Sequence, residues 1–286
     1  MNYRHIYHAG NMCDIVKHSI LMLLIDYMKQ KDKGFALLDT HAGCGMYDLN
    51  SEEAQKTNES DEGIGKLWTS RARTPEALAP YLSIIEKVNH DGLLSFYPGS
   101  PLFAAHSLRP QDRLILCELH PEDAYALRRT MRPFPTSQIH NRDGYEAIKA
   151  FLPFAEKRGL ILIDPPFEDR EEYSALIKAL AHCNAQAPQV TVAIWYPIKD
   201  RPAIWQFHED LSAQVKTEAL VAEFLFQPEE CADKLNGSGL AIINPPWILH
   251  DQLSQLFPAL HDLLKTEMNN NGSIIRVLTH NKIAMI

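Results

Sequence analysis

Residues 159–167, with the sequence GLILIDPPF, join an apolar run to an aspartate, two prolines and a phenylalanine. A short apolar run that is bounded by turn residues is typical of a strand buried on both faces of a sheet. The prolines stiffen the following turn, because each ring fixes one backbone dihedral angle. We therefore predict a central parallel strand that ends in a rigid turn and presents a carboxylate at the edge of the sheet.

Further apolar runs of strand length alternate with helical segments along the chain. This alternation predicts an α/β fold, with a mostly parallel, doubly wound sheet covered by helices on both faces. The predicted strands are 35–40, 113–118, 137–140, 159–164, 190–196, 218–226, 240–243 and 273–278. The predicted helices are 14–29, 77–88, 121–131, 145–152, 173–184 and 251–265.

Residues 46–95 interrupt this alternation, because they begin with a polar stretch and contain no run of strand-forming residues. We predict a mostly helical subdomain inserted between the first two strands. The main domain then comprises residues 1–45 and 96–286. A loop at 96–101, FYPGSP, is predicted to return the chain to the sheet.

The composition is that of an ordinary globular protein, with 286 residues, of which 45% are hydrophobic and 22% charged. Five cysteines are widely spaced without a CxxC pair, which predicts reduced thiols and no zinc ribbon. The sequence shows neither a signal peptide nor an apolar run that could span a membrane. We therefore expect a monomeric, cytoplasmic protein without a bound metal.

The net charge of −8 argues mildly against tight, non-specific binding of nucleic acid, since phosphate contacts supply much of that affinity. Residues 1–33 differ from the rest, because five Lys and Arg residues stand there against three Asp. This local excess suits brief contact with one RNA segment. A solvated helix end explains the same charge equally well.

Ligands of a doubly wound sheet bind beyond the carboxyl ends of the strands. Residues 39–45, DTHAGCG, follow the first strand, and small residues such as Gly43 let the backbone approach a ligand. Glu118 ends the next strand, where an acid typically accepts hydrogen bonds from ribose hydroxyls. Asp143 and Gly144 follow the third strand, where a carboxylate suits an adenine amino group. Singly, each feature also fits a solvated strand end or a plain turn.

The tetrapeptide Asp164-Pro165-Pro166-Phe167 is the most specific feature. The amino group of adenine is a poor nucleophile, because its lone pair is delocalised into the ring. The Asp164 carboxylate and the Pro165 carbonyl could accept both amine hydrogens and draw the amine towards a tetrahedral geometry. Phe167 offers a flat face on which an extruded base can stack. The motif predicts methylation of an exocyclic amine, and the acid favours adenine N6; a rigid strand-to-helix turn is the structural alternative.

A second tetrapeptide of this kind, Asn244-Pro245-Pro246-Trp247, also follows an apolar strand. Asparagine in the first position is the form expected for methylation of a glutamine amide. This copy comes near the end of the fold, whereas Asp164 belongs to the strand directly after Asp143. We interpret the second copy as a structural turn, and the sequence leaves open whether it lines the site.

The amino-terminal segment 3–11, YRHIYHAGN, is too rich in aromatic and histidine residues for a disposable tail. Contact with RNA or cofactor and an ordered cap on the sheet are both open interpretations. His5 and His8 have no cluster of carboxylates or cysteines near them at ligand spacing, which argues against a metal site.

These motifs resemble those of a known family over essentially the whole chain. The matching segments are 3–5, 8–11, 17–18, 38–43, 97–101, 118–121, 160–167, 194–197 and 243–247. The chain resembles the RlmJ family, which methylates adenine N6 in the RNA of the large ribosomal subunit. The amino-terminal block and YPGSP are specific to that family rather than to methyltransferases in general.

The resemblance implies a Rossmann-like class I methyltransferase fold with a helical insertion, S-adenosylmethionine as cofactor and 23S ribosomal RNA as partner. It implies methyl transfer to N6 of one adenine, with Asp164 as the catalytic residue. The implied cofactor-binding residues are His18, His41, Ser100, Glu118, Asp143, Gly144 and Asp164, joined by Gly43 of the small-residue loop. The implied RNA contacts are Tyr3, Arg4 and Lys17. Phe167 stands where the family commonly has tyrosine, which preserves stacking but removes a phenol hydroxyl.

Three other functions remain open from the sequence. They are adenine-N6 methylation of DNA, N5 methylation of a protein glutamine, and RNA binding by a non-catalytic module with a relic cofactor pocket. For the enzyme, we expect direct in-line transfer without nucleophilic catalysis by Cys44 or Cys117, because an amine can attack a methyl group by itself.

Overall fold

The computed structural model describes residues 4–168, 171–216, 218–228, 234–266, 272–279 and 282–285. The strands are β1 Ala36–Asp39, β2 Met46–Asp48, β3 Phe96–Pro98, β4 Arg113–Glu118, β5 Gln138–Asn141, β6 Gly159–Ile163, β7 Thr191–Ile198, β8 Glu218–Leu225, β9 Gly237–Ile243, β10 Ser273–Thr279 and β11 Lys282–Met285. The α-helices are α1 Met12–Lys29, α2 Glu52–Thr57, α3 Lys66–Thr69, α4 Ala79–Val88, α5 Ser100–Ser107, α6 Pro121–Thr130, α7 Gly144–Phe151, α8 Glu172–Gln186, α9 Arg201–Gln214 and α10 Leu249–Leu264.

Within the described residues, nine strands form one sheet in the order β11-β10-β8-β9-β7-β6-β1-β4-β5. The strands from β7 to β5 in this order pair in parallel. β9 is antiparallel to both of its neighbours, β7 and β8, and β10 is antiparallel to β8. The carboxyl ends of the parallel strands therefore meet at a single edge of the sheet.

The strand at the centre of the opening stretch, β6, is buried along its whole length. Leu160 and Leu162 belong to the core on one face of the sheet, while Ile161 and Ile163 belong to the core on the other. Alternate strand residues point to opposite faces, so only a strand covered on both sides needs five apolar residues in succession. The two cores confirm the doubly wound arrangement predicted from GLILI.

Helices cover both faces of the sheet. Residues of α1, α5 and α10 join the first core, with Ile20, Phe103 and Leu253 among them. Residues of α7, α8 and α9 join the second core, with Leu176 and Phe207 among them. Because the helices cover the two faces, the turns between strands and helices lie at the edges of the sheet.

The insertion is helical but begins and ends in a short antiparallel pair, β2 with β3. The sequence predicted a loop at 96–101 and no strand in 46–95; instead, 96–98 is a strand and Ser100 begins α5. Each strand of the pair has only three residues, and their pairing partners are fifty residues apart, so no local pattern marks them. The insertion shares the first core, into which Tyr81 is fully buried.

Candidate active site

A cleft of about 360 Å³ lies at the carboxyl edge of the parallel strands. Its walls come from the loops after β1, β4, β5, β6 and β7 and from the segment before α1. The predicted site residues in its lining are Lys17, His18, His41, Gly43, Ser100, Glu118, Asp143, Gly144, Asp164, Pro165 and Phe167. Of the predicted RNA contacts, Tyr3 lies outside the described residues. Arg4 lies outside the lining, about half exposed, with its guanidinium 3.5 Å from Glu122.

Asp164 is held by an ammonium from the other end of the sequence. Lys17 Nζ donates to Asp164 Oδ2 over 2.5 Å and lies 2.9 Å from Asp14 Oδ1. Asp164 Oδ1 has no hydrogen-bond partner among the described residues, so it remains available as an acceptor in the cleft. The arrangement fixes one oxygen of the carboxylate and leaves the other for a ligand.

Lys17 is buried, with 5% of its side chain exposed. Burial disfavours its charge, but the carboxylates of Asp14 and Asp164 outweigh burial and raise the pKa of Lys17 above its ordinary value. Burial likewise opposes the charge of Asp14, and His5 and Lys17 nevertheless hold its pKa well below the usual range. Asp14 and Lys17 therefore stay ionised together at neutral pH.

The amino-terminal segment completes this network. His5 Nε2 lies 3.0 Å from Asp14 Oδ2, and the backbone N–H of Gly10 donates to the same oxygen over 2.9 Å. Asn11 caps α1 by accepting from the Asp14 N–H. The segment reaches Asp164 through Asp14 and Lys17, and its residues His5, His8 and Asn11 line the cleft, so both interpretations of the segment stay open. Asp14 was not predicted as a site residue, because acids are common in the first turn of a helix.

The basic patch predicted for residues 1–33 is not one surface. Lys17 is buried beneath the cleft, whereas Lys31 and Lys33 precede β1 and lie at the amino edge of the parallel strands. These lysines are close in sequence but far apart in the structure, because α1 runs from one edge of the sheet to the other. Lys17 faces a carboxylate in the site rather than an outer surface.

The loop after β1 is organised by Glu118. The Gly43 N–H donates to Glu118 Oε2 over 2.8 Å, and the His120 N–H donates to Oε1 over 2.7 Å. Gly43 has a φ of +60°, and a Cβ there would lie 2.3 Å from the Tyr47 hydroxyl, so glycine is required. Burial raises the pKa of Glu118 above its ordinary value, although these two N–H groups oppose the shift.

The next strand end brings Asp143 and Gly144 to the same cleft. Asp143 caps α7, since its Oδ1 accepts from the Glu146 N–H over 2.9 Å. A Cβ on Gly144 would lie 2.4 Å from the Thr40 carbonyl oxygen, so the helix can approach β1 only with glycine here. Asp143 thus has a structural role whether or not its second oxygen binds a ligand.

Two histidines in the lining are neutral at physiological pH. His18 Nδ1 lies 2.8 Å from the Tyr97 hydroxyl, and burial holds the pKa of His18 well below its usual range. His41 Nδ1 lies 2.8 Å from the Thr40 hydroxyl, and burial lowers the pKa of His41 to about 4. Neither imidazole adds a positive charge to the cleft.

Asp39 is a buried acid that the sequence analysis treated only as part of the glycine loop. The Ser100 hydroxyl donates to its Oδ2 over 2.7 Å, and the His41 N–H donates to its Oδ1 over 3.3 Å. Burial raises the pKa of Asp39 to about 7, although both hydrogen bonds favour the ionised form. Asp39 therefore anchors Ser100 and His41, two of the predicted cofactor-binding residues.

This shift predicts a pH-dependent effect of Asp39→Asn. The folded protein keeps the Asp39 proton up to about pH 7, whereas the unfolded chain releases it above 3.8. Below about pH 4 both the folded and the unfolded state carry this proton, so Asp39 makes its full contribution to the free energy of unfolding there. It falls as the pH rises to 7, by up to roughly 1.4 kcal/mol per pH unit.

Asparagine cannot ionise, so the variant is expected to gain stability relative to the wild type over this window. The gain should level off above about pH 8. Urea unfolding of both proteins between about pH 5 and 8 measures the difference, in which the titration of shared groups cancels. A difference that does not change with pH would contradict the assignment.

Aromatic side chains form the wall beside Asp164. The Phe167 ring lies 5.8 Å from the Trp195 ring and 5.2 Å from the Tyr173 ring, measured between centroids. Trp195 is held by a 2.9 Å hydrogen bond from Nε1 to Ser238, and Lys17 Nζ lies 5.7 Å from its centroid. Phe167 has a φ of +49°, a rare conformation for a bulky residue that is stabilised only where the surroundings demand it.

A sequence model of the family described as "Ribosomal RNA large subunit methyltransferase D, RlmJ" matches residues 32–276. The chain belongs to the RlmJ family. Ribosomal RNA large subunit methyltransferase J of Haemophilus influenzae is 40% identical over 275 residues, which cover 96% of this chain and 98% of the relative. The protein of that name from Escherichia coli K12 is 40% identical over 264 residues, covering 92% and 94%.

A crystal structure of a Legionella pneumophila protein superposes with a TM-score of 0.86 at 34% identity. The match covers 96% of this chain and 99% of that chain. Membership of the RlmJ family confirms the predicted resemblance, and the mixed α/β sheet confirms the Rossmann-like class I methyltransferase fold.

The second tetrapeptide of this RlmJ-family chain lies away from the cleft. Because β9 is antiparallel to β7, Asn244 lies beside Thr191 at the amino end of β7. That end is roughly 20 Å from Pro197 in the cleft, at about 3.3 Å per strand residue. The Asn244 side chain donates to the Pro188 and Val190 carbonyls, and Trp247 is 81% exposed. The tetrapeptide is a structural turn, as interpreted, and lies outside the described lining.

Two further predictions concern membranes and metals. In the described part of the chain, no helix is long and apolar enough to cross a membrane. Among the same residues, no group of three or more His, Cys, Asp or Glu side chains is arranged to hold a metal ion. Cys13, Cys44, Cys117 and Cys183 are free thiols, and Cys231 lies outside the described residues.

Proposed function

We propose that this chain transfers the methyl group of S-adenosylmethionine to N6 of one adenine in 23S ribosomal RNA. The observation that carries the proposal is Asp164. Its carboxylate is fixed on one oxygen by Lys17, free on the other, and next to a two-proline turn and an aromatic wall. Membership of the RlmJ family supports ribosomal RNA as the substrate class. The same proposal places the enzyme in the cytoplasm, as a monomer.

The cleft suits S-adenosylmethionine by size and by the chemistry of its lining. Its volume of about 360 Å³ is that of a small-molecule site. Glu118 would accept from the ribose hydroxyls, because each of its oxygens has a lone pair beyond the bound N–H. Asp143 would accept from the adenine amino group, and Gly43 and Gly144 allow close backbone approach. When bound, the cofactor supplies an electrophilic methyl group on a sulfonium ion.

The neutral histidines fit a cationic cofactor. His18 and His41 carry no charge near pH 7, so neither repels a sulfonium ion. Two lysines, Lys17 and Lys199, also line the cleft, and the charge of Lys17 is matched by Asp14 and Asp164. Cys44 and Cys117 have pKa values that burial raises to about 11 and about 12, so both stay protonated and are poor nucleophiles.

Asp164 and Pro165 would activate the target amine. Asp164 Oδ1 accepts one N6 hydrogen and the Pro165 carbonyl accepts the other, so the nitrogen lone pair turns away from the ring. The amine then attacks in line from about 3–3.5 Å, a separation typical of reactive geometries. Transfer would form the N–C bond while the methyl–sulfur bond breaks and the sulfur leaves as a neutral thioether. Asp164 would accept the extra proton of the cationic amine and pass it to solvent. Lys17 holds Asp164 in position throughout.

The stacking role of Phe167 predicts a graded series of variants. Phe167→Tyr keeps the flat ring and adds a hydroxyl. It is expected to retain activity within about threefold, which would show that the hydroxyl contributes little to catalysis. Phe167→Leu keeps apolar volume but loses the ring, and kcat/KM is expected to fall by roughly 10- to 100-fold, given about 1–3 kcal/mol per stacked base. Steady-state methylation of ribosomal RNA measures both. Equal activity of the leucine and tyrosine variants would exclude stacking.

The proposal is tested with isotopically labelled S-adenosylmethionine and three acceptors: protein-free 23S ribosomal RNA, duplex DNA and a peptide release factor. The RNA comes from a strain without its RlmJ-family enzyme, and RNA from a strain that has the enzyme is the matched control. We expect label only in the first RNA, because the control is already methylated. Label in DNA or release factor would support the rival enzymes. Calorimetry without detectable cofactor binding would support a non-catalytic module.

A further inference from the structure

Four arginines stand at the end of α6, just after it and just after β5, and we name them the α6 arginine cluster: Arg128, Arg129, Arg132 and Arg142. Arg128 and Arg129 lie in the last turn of α6, and Arg132 lies two residues beyond it. Arg142 directly follows β5, at one end of the sheet. The first three are exposed and Arg142 is half-buried.

Arg128 and Arg142 lie near a common side chain although 14 residues separate them in the sequence. His140 of β5 reports their proximity. Burial lowers the pKa of His140 the most, and the positive charges of Arg142 and Arg128 lower it further. Two guanidinium groups from different elements therefore act on the same imidazole.

The cluster has no acidic partners. None of the four guanidinium groups forms an ion pair or a side-chain hydrogen bond with any described residue, in contrast to Arg113, which pairs with Glu156. The acids of α6 lie in its first turn instead. The helix dipole favours cations at positions 128 and 129, but Arg132 and Arg142 lie outside the helix. Four cations without a partner among the described residues, within 15 positions of the sequence, are unexpected in a chain of net charge −8.

The cluster borders the cleft. Leu127 and Thr130 of α6 pack against the glycine loop, since a Cβ at Gly45 would lie 3.0 and 3.1 Å from their side chains. The Thr130 hydroxyl also donates to the Cys44 carbonyl over 3.0 Å. Arg142 directly precedes Asp143 of the cleft wall. An RNA strand that enters the cleft from this side passes over the cluster.

We propose that the α6 arginine cluster binds phosphates of the substrate RNA on the strand that flanks the target adenine; this rests on the proposed function. Acids outnumber lysines in the cleft lining, where Lys17 and Lys199 stand among seven carboxylates, so much of the attraction for phosphates has to come from outside it. Guanidinium groups match phosphate oxygens in geometry and stay charged at all relevant pH values. Tyr125, 64% exposed on the same helix, adds a ring on which an unpaired base can stack.

The test is a variant with Arg128→Gln, Arg129→Gln and Arg132→Gln, assayed on 23S ribosomal RNA that lacks the modification. We expect KM for RNA to rise at least about tenfold, while kcat and the calorimetric affinity for S-adenosylmethionine stay unchanged. The slope of log affinity against log salt is expected to fall by about two, at roughly 0.7 per lost phosphate contact on a single strand. The corresponding triple lysine variant keeps the charges and should retain most of the slope.

The matched control removes three exposed cations elsewhere, with Lys31→Gln, Lys33→Gln and Lys178→Gln. It should leave both KM and the salt slope unchanged. If the arginine variant has wild-type KM and slope while the wild type methylates the RNA, the cluster proposal is wrong and the proposed function stands. If the wild type itself methylates no ribosomal RNA, the proposed function fails and the cluster proposal with it. Arg132→Gln alone, with an expected rise in KM of about threefold, serves if the triple variant does not fold.

Discussion

Asp164→Asn is expected to lower the rate of methylation by roughly 10³-fold, the magnitude lost when one preorganised polar group is removed from an active site. The asparagine amide is nearly the same size, but it has no negative charge to accept the amine proton. Its NH2 group also cannot accept from the Lys17 ammonium. Single-turnover kinetics with saturating cofactor measure the rate of the chemical step directly.

Asp164→Glu is the matched control for this substitution, because it keeps the charge and moves the carboxylate by one methylene. Its rate should lie between those of the wild type and the asparagine variant. Calorimetry of S-adenosylmethionine binding separates the chemical role from a cofactor role, and we expect affinity to fall far less than the rate. Methylation at a normal rate by Asp164→Asn would exclude the catalytic role of Asp164.

Lys17→Met is expected to reduce both stability and activity strongly. It leaves Asp14 and Asp164 without the ammonium that they share, and a buried ion pair broken on one side costs about 3–5 kcal/mol. With Asp164 no longer fixed, kcat should fall at least about 100-fold, whereas KM for RNA should change little. Urea unfolding and steady-state kinetics on ribosomal RNA measure the two effects.

Two further variants separate the structural effect of Lys17 from its positioning of Asp164. Lys17→Arg keeps the charge and should recover much of the stability but only part of the rate, because a planar guanidinium reaches the oxygens differently. Asp14→Asn removes the competing negative charge and should leave Lys17 paired with Asp164. If Lys17→Met has wild-type stability and kcat, the ion-pair network has no part in catalysis.

Much of the fold and the location of the site could be predicted from local sequence. The run GLILI is apolar at every position, which only a strand covered on both faces requires, and alternating helices imply parallel pairing. Parallel strands place their carboxyl ends at one edge. Gly43, Glu118, Asp143 and Asp164 were therefore expected to meet once their strands were identified, and the cleft contains all four.

Contacts between distant segments could not be predicted in this way. Lys17 and Asp164 are 147 residues apart, and nothing in either local sequence indicates that α1 carries an ammonium to the end of β6. Helix α9 was not predicted, because its apolar residues are sparse, although Asp200 and a proline in the first turn both favour a helix start. Counting charges along the sequence also failed, since it grouped Lys31 with Lys17, which lie at opposite edges of the sheet. It also gave no sign that Arg128 and Arg142, from different elements, lie near the same histidine.

The central claim is that this chain places one methyl group on N6 of an adenine in 23S ribosomal RNA through Asp164. Its most direct test is nucleoside mass spectrometry of unmodified 23S RNA after reaction with the enzyme and S-adenosylmethionine. We expect about one additional N6-methyladenosine per RNA molecule with the wild type, and almost none with Asp164→Asn over the same reaction time. A methyl group on a ring nitrogen, on a ribose or on no nucleoside at all would contradict it.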